Sequence, residues 1–333
     1  MAQVANTYET YDAVGIREEL ADKIWMITPE ETPFSSLIGR KSVSSVHPEW
    51  QTDDLGSVDL DNNQPEGNDW SYDAISATTR IGNYCQISEK TLIVSDTLEV
   101  VNKAGRKSDL AREVAKKGTE LKIDMEAILL SNQAANAGSG DAATNRKLAG
   151  FRAWLATNDS LGATGSSGTF TSGIQGAATD GTQRAFTKAL LDEVILSTYN
   201  AGGTASVLMV SPYVKTVFSK ILDDADVVTL KKEVKAGQAT IVAAADMYQS
   251  DFGLITVVPN RQMARAGGTI ARNAFLIDAK MVKIGMLRDI AVRKPAKTGD
   301  AEKRVLNCEY TLVVSNEAAH GVIADLYGLT SAS

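Results

Sequence analysis

The sequence predicts an α+β fold, and three stretches carry that expectation. An acidic, turn-rich segment, Ser42 to Asp96, runs directly into one long charged helix, Ser108 to Asn132. A compact unit of helices and strands follows at residues 186–260, and the chain returns to strands over 261–333. With 333 residues the chain exceeds the usual single-domain size, so two subdomains are expected.

Each element has a local reason. Residues 1–41 read as an arm. Gly15 to Ile27 has Ile16, Leu20, Ile24 and Ile27 near helical spacing, and Pro29 and Pro33 stop the helix. Thr32-Pro33-Phe34 with Leu37-Ile38 reads as extended chain that places apolar residues against another surface. Val43, Val46 and Trp50 suggest a weak strand. A polar tip from Asp53 to Asn68 follows, and the return, Asp69 to Val94, is rich in β-formers from Trp70 to Ile87. Two strands joined at such a tip form a hairpin or long loop, which needs a surface to lie on because an isolated hairpin is marginal in water.

Ser108 is the expected N-cap of the long helix, with Asp109 favouring its dipole. Leu110, Val114, Leu121, Met125 and Ile128 form a narrow apolar stripe. Glu113–Lys117, Lys116–Glu120 and Lys122–Glu126 are spaced as i,i+4 pairs. Gly118 marks a bend or a close contact. Nine glycines between Gly138 and Gly181 suggest surface loops, with a short strand at Thr169–Thr171 and apolar residues only at Leu148–Leu155.

The unit at 186–260 is expected to hold a helix from Thr187 to Tyr199 and a buried strand at Val207–Val210. Ser211-Pro212 opens a second helix lined by Val214, Val217, Phe218, Ile221 and Leu222. Strands at Thr240–Tyr248 and Leu254–Val258 are expected to pair. Beyond it, Ala274–Ile277 is a strand, and Ile290–Lys294 and Arg304–Ser315 flank a turn at Thr298–Asp300. Leu306, Cys308, Tyr310, Leu312 and Val314 share one face of the second of these strands, and His320–Leu326 is a last short strand.

Composition is that of a soluble globular chain, 44% hydrophobic and 23% charged. No apolar run reaches ~18 residues, so no membrane-spanning helix is expected. Met1 to Glu19 lacks the pattern of a secretory signal. Cys85 and Cys308 stand far apart, which fits a reducing compartment and makes neither a disulfide framework nor a zinc pattern. The net charge of −7 is unevenly spread: residues 1–68 carry 13 acids and 4 bases, whereas Arg261 to Arg304 carries 11 bases and 4 acids. Such opposite patches could meet between subunits.

Catalytic and cofactor signals are weak. His47 and His320 are the only histidines, and nothing in the sequence gathers a Ser/His/Asp or Cys/His set around them. Asp59-x-Asp61-x-Asn63 starts like a calcium loop, but Gln64 and Trp70 occupy the positions that need Gly and Glu. Gly162, Gly165 and Gly168 lack dinucleotide-binding spacing. The basic stretch from Arg288 to Arg304 has no interleaved aromatics to stack bases. No catalytic residue, metal or cofactor is therefore assigned.

The order of parts resembles the major capsid protein of tailed double-stranded DNA bacteriophages, whose shell fold is called the Johnson fold. The local resemblance lies in Ala296-Lys297-Thr298-Gly299-Asp300-Ala301-Glu302-Lys303-Arg304, then Glu309-Tyr310-Thr311-Leu312, then Asn316 through Ile323. It is similar to the end of a phage capsid family long described as a domain of unknown function. The resemblance implies an N-terminal arm at 1–41, an extended β loop at 42–95 and a peripheral domain over 96–185 with its spine helix at 108–132. It also implies an axial domain at 186–262, then return strands and the end of the axial domain at 263–333. The implied function is self-assembly as pentamers and hexamers into an icosahedral shell. That shell would enclose double-stranded DNA bound without sequence specificity and would be assembled in the host cytoplasm. Portal, scaffold or decoration proteins are the other implied partners.

Some members of this fold weld subunits through a loop lysine and a neighbour's asparagine, but Ser42 to Glu89 contains no lysine, so no such weld is expected from this loop. Residues 1–41 are too short for a helical scaffolding segment, so any scaffold is expected to be separate or removed. The candidate intersubunit contacts are Glu49, Asp53, Asp54, Asp59 and Asp61 on the loop, against Arg288, Arg293, Lys294 and Lys297 of a neighbour. Other readings are an encapsulin-like nanocompartment with enzyme cargo, an α/β enzyme and a non-capsid surface or filament protein.

Overall fold

The computed structural model describes residues 28, 30–70, 72–103, 107–140, 144–221 and 246–330. The helix expected at Gly15–Ile27, Leu222, and all of the 240–248 strand before Asp246 lie outside these residues.

The first described element corrects an expectation. Residues expected to be extended form a short helix, α1 (Pro33–Leu37), with Pro at its start and no cap from the Thr32 side chain. Its cap comes from far away in sequence, as described below. Gly39 then adopts φ 67, a left-handed conformation that suits Gly, and β1 (Arg40–Ser42) begins. The weak strand expected from Val43 to Trp50 is present only after Pro48, as β2 (Glu49–Thr52). It pairs antiparallel with β3 (Thr79–Gly82), Trp50 opposite Ile81. A long strand, β4 (Gln86–Ser95), leads into α2 (Asp96–Val100), which was not foreseen and is capped by the Ser95 hydroxyl.

The long helix is α3 (Asp109–Leu130), and the Ser108 hydroxyl accepts the Ala111 N–H as expected. Glu99 of α2 accepts two further N–H groups at this end, from Asp109 and Leu110. The expected i,i+4 pairs give way to others. Glu113 pairs with Arg112, and Glu120 pairs with Lys117 three residues back. Glu126 faces inward instead of meeting Lys122, because backbone donors wait there. Gly118 is a contact position: a side chain there would meet Leu306 at 3.7 Å.

The Gly-rich segment is not a set of surface loops. It carries α4 (Phe151–Trp154), β5 (Asp159–Ser160), β6 (Phe170–Thr171), β7 (Ile174–Gln175) and β8 (Arg184–Ala185). Leu148 through Leu155 are buried, Arg152 among them. Its glycines permit close backbone approach. A Cβ at Gly150 would lie 2.0 Å from the Ser131 carbonyl oxygen, and one at Gly162 would lie 2.1 Å from that of Thr182.

The next unit follows the sequence closely. It holds α5 (Lys188–Asn200), β9 (Val207–Val210) and α6 (Pro212–Ile221), the last capped by the Ser211 hydroxyl, which accepts the Val214 N–H. Then come β10 (Met247–Ser250), β11 (Gly253–Pro259), α7 (Arg261–Ala266) and α8 (Gly268–Ala271). The chain ends in β12 (Ala274–Ile277), β13 (Val282–Arg293), β14 (Ala301–Val314), β15 (Gly321–Ile323) and β16 (Leu326–Gly328).

These strands make two main sheets, one in the order β1-β13-β14-β4 and the other β10-β11-β9-β12-β15-β5. In the first, Leu306, Cys308, Tyr310, Leu312 and Val314 are all buried on one face, as their alternation predicts. That face and the inward side of α3, with Leu121, Met125 and Leu129, form one core with Phe34, Phe151 and Phe275. A second core lies between α5, α6 and the second sheet, around Val194, Phe218 and Ile255.

Candidate assembly surfaces

The hairpin of β2 and β3 is anchored at its base and bare at its tip. At the base, Trp50 packs near Trp154 with ring centroids 5.7 Å apart, and His47 stacks on Tyr84 at 4.1 Å. From residue 53 to 80 every described residue is exposed. Leu55, Val58, Leu60, Trp70, Tyr72 and Ile75 are 84–99% exposed, values rare for such large apolar side chains. The same stretch, 53–78, holds seven acids and no Lys or Arg. Asp53, Asp54, Asp59 and Asp61 all lie on it, whereas Glu49 sits at its base and pairs with Arg80 at 3.3 Å.

The first sheet offers a second surface. Its register puts Ile87, Thr91 and Ile93 of β4, Lys303, Val305 and Asn307 of β14 and Arg288 and Arg293 of β13 on the face away from α3. Ile87 and Ile93 are 47% and 63% exposed, so this half of the face is left uncovered by the described residues. The four candidate cations differ in their partners. Arg288 holds the buried Glu309 at 2.8 Å, and Arg146 holds its other oxygen at 2.7 Å. Lys294 and Lys297 belong to a network around Glu302, with Lys297 also bound to Asp96. Arg304 first, and then Lys294, hold the Glu302 carboxyl down at about 2, and Asp96 pushes the Lys297 ammonium up. Arg293 is exposed. Sequence reasoning missed Arg146 and Glu309, because 163 positions separate them.

The third feature is the start of α1. Glu126, fully buried in α3, accepts hydrogen bonds from Phe34, Ser35 and Asn260. None of the expected contacts anticipated it, because the sequence presents Glu126 as one more charge on a charged helix.

Among the described residues, no group of three or more His, Cys, Asp or Glu is arranged to hold a metal ion. His320 is buried, with its Nδ1 accepting the Asp278 N–H at 3.1 Å, and burial pushes its imidazolium down to about 4. No described helix is long and apolar enough to cross a membrane.

Comparison with known proteins places this architecture. The family model described as SU10 major capsid protein matches residues 3–327. The chain belongs to the SU10 major capsid protein family. The capsid protein is 27% identical over 354 aligned residues to the major capsid protein of Escherichia phage Phieco32, covering 98% of both chains. Its fold is similar to that of the Cyanophage A-1(L) capsid asymmetric unit, with a TM-score of 0.66 at 16% identity, covering 96% of this chain and 98% of that one. The holo-SrpI encapsulin complex from Synechococcus elongatus PCC 7942 is similar at a TM-score of 0.55 and 10% identity, covering 95% and 94%. The fold is thus the Johnson-type fold of phage capsids, and the protein is a phage major capsid protein that assembles with itself into a shell.

Proposed function

We propose that copies of this capsid protein close an icosahedral shell of pentamers and hexamers by laying residues 53–78 of one subunit across the uncovered face of a neighbour's first sheet. The observation that carries this reading is the loop itself: six large apolar side chains held in water beside seven acids with no base. Burying each such side chain contributes ~1.5–3 kcal/mol, whereas an exposed ion pair contributes ~0–1 kcal/mol. Apolar contact therefore supplies the affinity. Asp53, Asp54, Asp59 and Asp61, facing Arg293 and Lys303 with Arg288 beside them, select register. Lys294 and Lys297 take a lesser part than their charge suggests, because Glu302 and Asp96 already engage them. Glu49, paired with Arg80, fixes the loop's base.

In this reading the first sheet with α3 is the peripheral domain, the α5–α7 unit is most of the axial domain, and residues 43–85, between β1 and β4, are the extended loop. The shell encloses double-stranded DNA without reading its sequence, is assembled in the host cytoplasm, and meets portal, scaffold or decoration proteins through other surfaces. Its work is assembly and not catalysis. The lysine-free loop makes no covalent weld, so mature shells run as single subunits on a denaturing gel.

Charge reversal tests the docking. Arg293→Glu is expected to slow shell formation and weaken its response to salt, and Asp61→Lys in the same chain to recover part of the loss. Closed shells by negative-stain microscopy, with unchanged yield and salt response in the single variant, would refute it. The similarity to an encapsulin favours a second reading, and particle contents separate the two: DNA for a phage head, protein cargo for a nanocompartment.

A further inference from the structure

We propose that Glu126 is a positioning residue for assembly: it pins the root of the N-terminal arm to the long helix and, through Asn260, to the second sheet. The inference rests on the capsid reading for its consequence, but the geometry stands within one subunit.

The carboxylate has four acceptor sites, and four donors converge on it. Oε1 accepts from the Phe34 N–H at 2.7 Å and from Asn260 Nδ2 at 2.8 Å. Oε2 accepts from the Ser35 N–H at 2.8 Å and the Ser35 hydroxyl at 2.5 Å. No cation pairs with Glu126 among the described residues. A buried charge compensated only by fixed donors is costly to strand, so the donors cannot drift away one at a time.

The donors come from two separate parts of the molecule. Phe34 and Ser35 open α1, whose own preceding residue provides no side-chain cap. Asn260 directly follows β11, donates its N–H to the Val210 carbonyl of β9, and accepts the Gln262 N–H at 2.9 Å as the cap of α7. A second tie runs in parallel, from Gln262 Nε2 to the Glu31 carbonyl at 3.1 Å. Phe34 and Ile38 are buried in the main core, so the root is held by packing from below and by Glu126 at its start. One side chain thus sets where α1 begins. It also makes that start depend on how α3 sits against the second sheet. In a shell built from many copies, it gives every subunit the same start of α1.

The test uses full-length protein. Glu126→Gln places an amide NH₂ among four donors, so at least one donor loses its partner. Hydrogen exchange at the Phe34 and Ser35 amides should quicken by about ten- to hundredfold, the effect of losing a hydrogen bond to a charged group. Protection of Leu121 and Leu129 should persist, and the yield of closed shells should fall. Ser35→Ala removes only the hydroxyl bond and decides the matter if the first variant fails to fold. It should loosen the same two amides by about tenfold or less, and its effect should not add to that of Glu126→Gln. Unchanged exchange at both amides, or full shell yield from a loosened root, would overturn the proposal. Absence of shells from the unaltered chain would count instead against the capsid reading, and the exchange measurement would still decide whether Glu126 holds the root.

Discussion

Arg146 and Glu309, 163 residues apart in sequence, meet at 2.7 Å on the face of the first sheet away from α3. Arg288 holds the other oxygen of Glu309 at 2.8 Å. The Glu309 side chain is only 6% exposed, while the two guanidinium groups reach water. Loss of either arginine leaves the carboxylate one partner, so Arg146→Ala and Arg288→Ala should each cost about 1 kcal/mol. Glu309→Ala should cost about 2 kcal/mol, because it leaves both cations crowded together. Urea unfolding of the three variants measures the order. Equal, negligible effects would mean that the clamp adds nothing to stability.

Two glycines should respond in opposite directions. A methyl group at Gly150 meets the Ser131 carbonyl oxygen at 2.0 Å, a backbone atom that cannot step aside. Gly150→Ala should therefore cost upwards of ~2 kcal/mol. Gly118 lies within α3 with only Leu306 nearby, at 3.7 Å, so Gly118→Ala should stabilise by about 0.5–1 kcal/mol through helix propensity. Thermal melts of the two variants check the signs.

Acid should unfold this protein partly through His320. Burial depresses its pKa to about 4 from an ordinary 6.5, so the folded state resists the proton that the unfolded chain accepts. Its contribution is fully present above about pH 6.5, falls as pH drops through the window between the two values, and is spent below pH 4. The loss amounts to roughly 3 kcal/mol. His320→Asn keeps an acceptor for the Asp278 N–H and removes the titration. The stability difference between wild type and this variant, followed from pH 7 to pH 4, should shift by that amount.

Cys85 and Cys308 should be inert in the folded subunit. Both are buried, and desolvation pushes each thiol up to about 11, far from the thiolate form that reacts. A thiol reagent at pH 8 should label neither until denaturant is added. Rapid labelling of either in native protein would show that its cover opens.

Much of the fold was legible because its signals are local. Ser108 and Ser211 cap the helices they precede, and the period-two run from Leu306 to Val314 faces the core. The acidic tip after Trp50 is also as bare as its composition suggests. The misreadings share a cause. Pro33–Leu37 forms a helix because Glu126 caps it from 92 positions away. The glycines near 150 and 162 read as flexible punctuation, yet they lie where two backbones touch. Among the candidate contacts, Lys294 and Lys297 look free in sequence, but Glu302 and Asp96 fold back onto them.

By itself the sequence determined the order of the main parts, the long charged helix with its capped start, the inward face of β14, and the absence of lysine from an acidic loop. These follow from residue periodicity, capping chemistry and composition, which act over a few positions. Only the tertiary structure decided which charges are paired inside the subunit and which stay exposed. It also decided that Glu126 turns inward to hold the start of α1, and that Gly150 must stay a glycine. Those outcomes depend on partners brought together from distant parts of the chain, where burial turns a solvated charge or a small residue into a structural requirement.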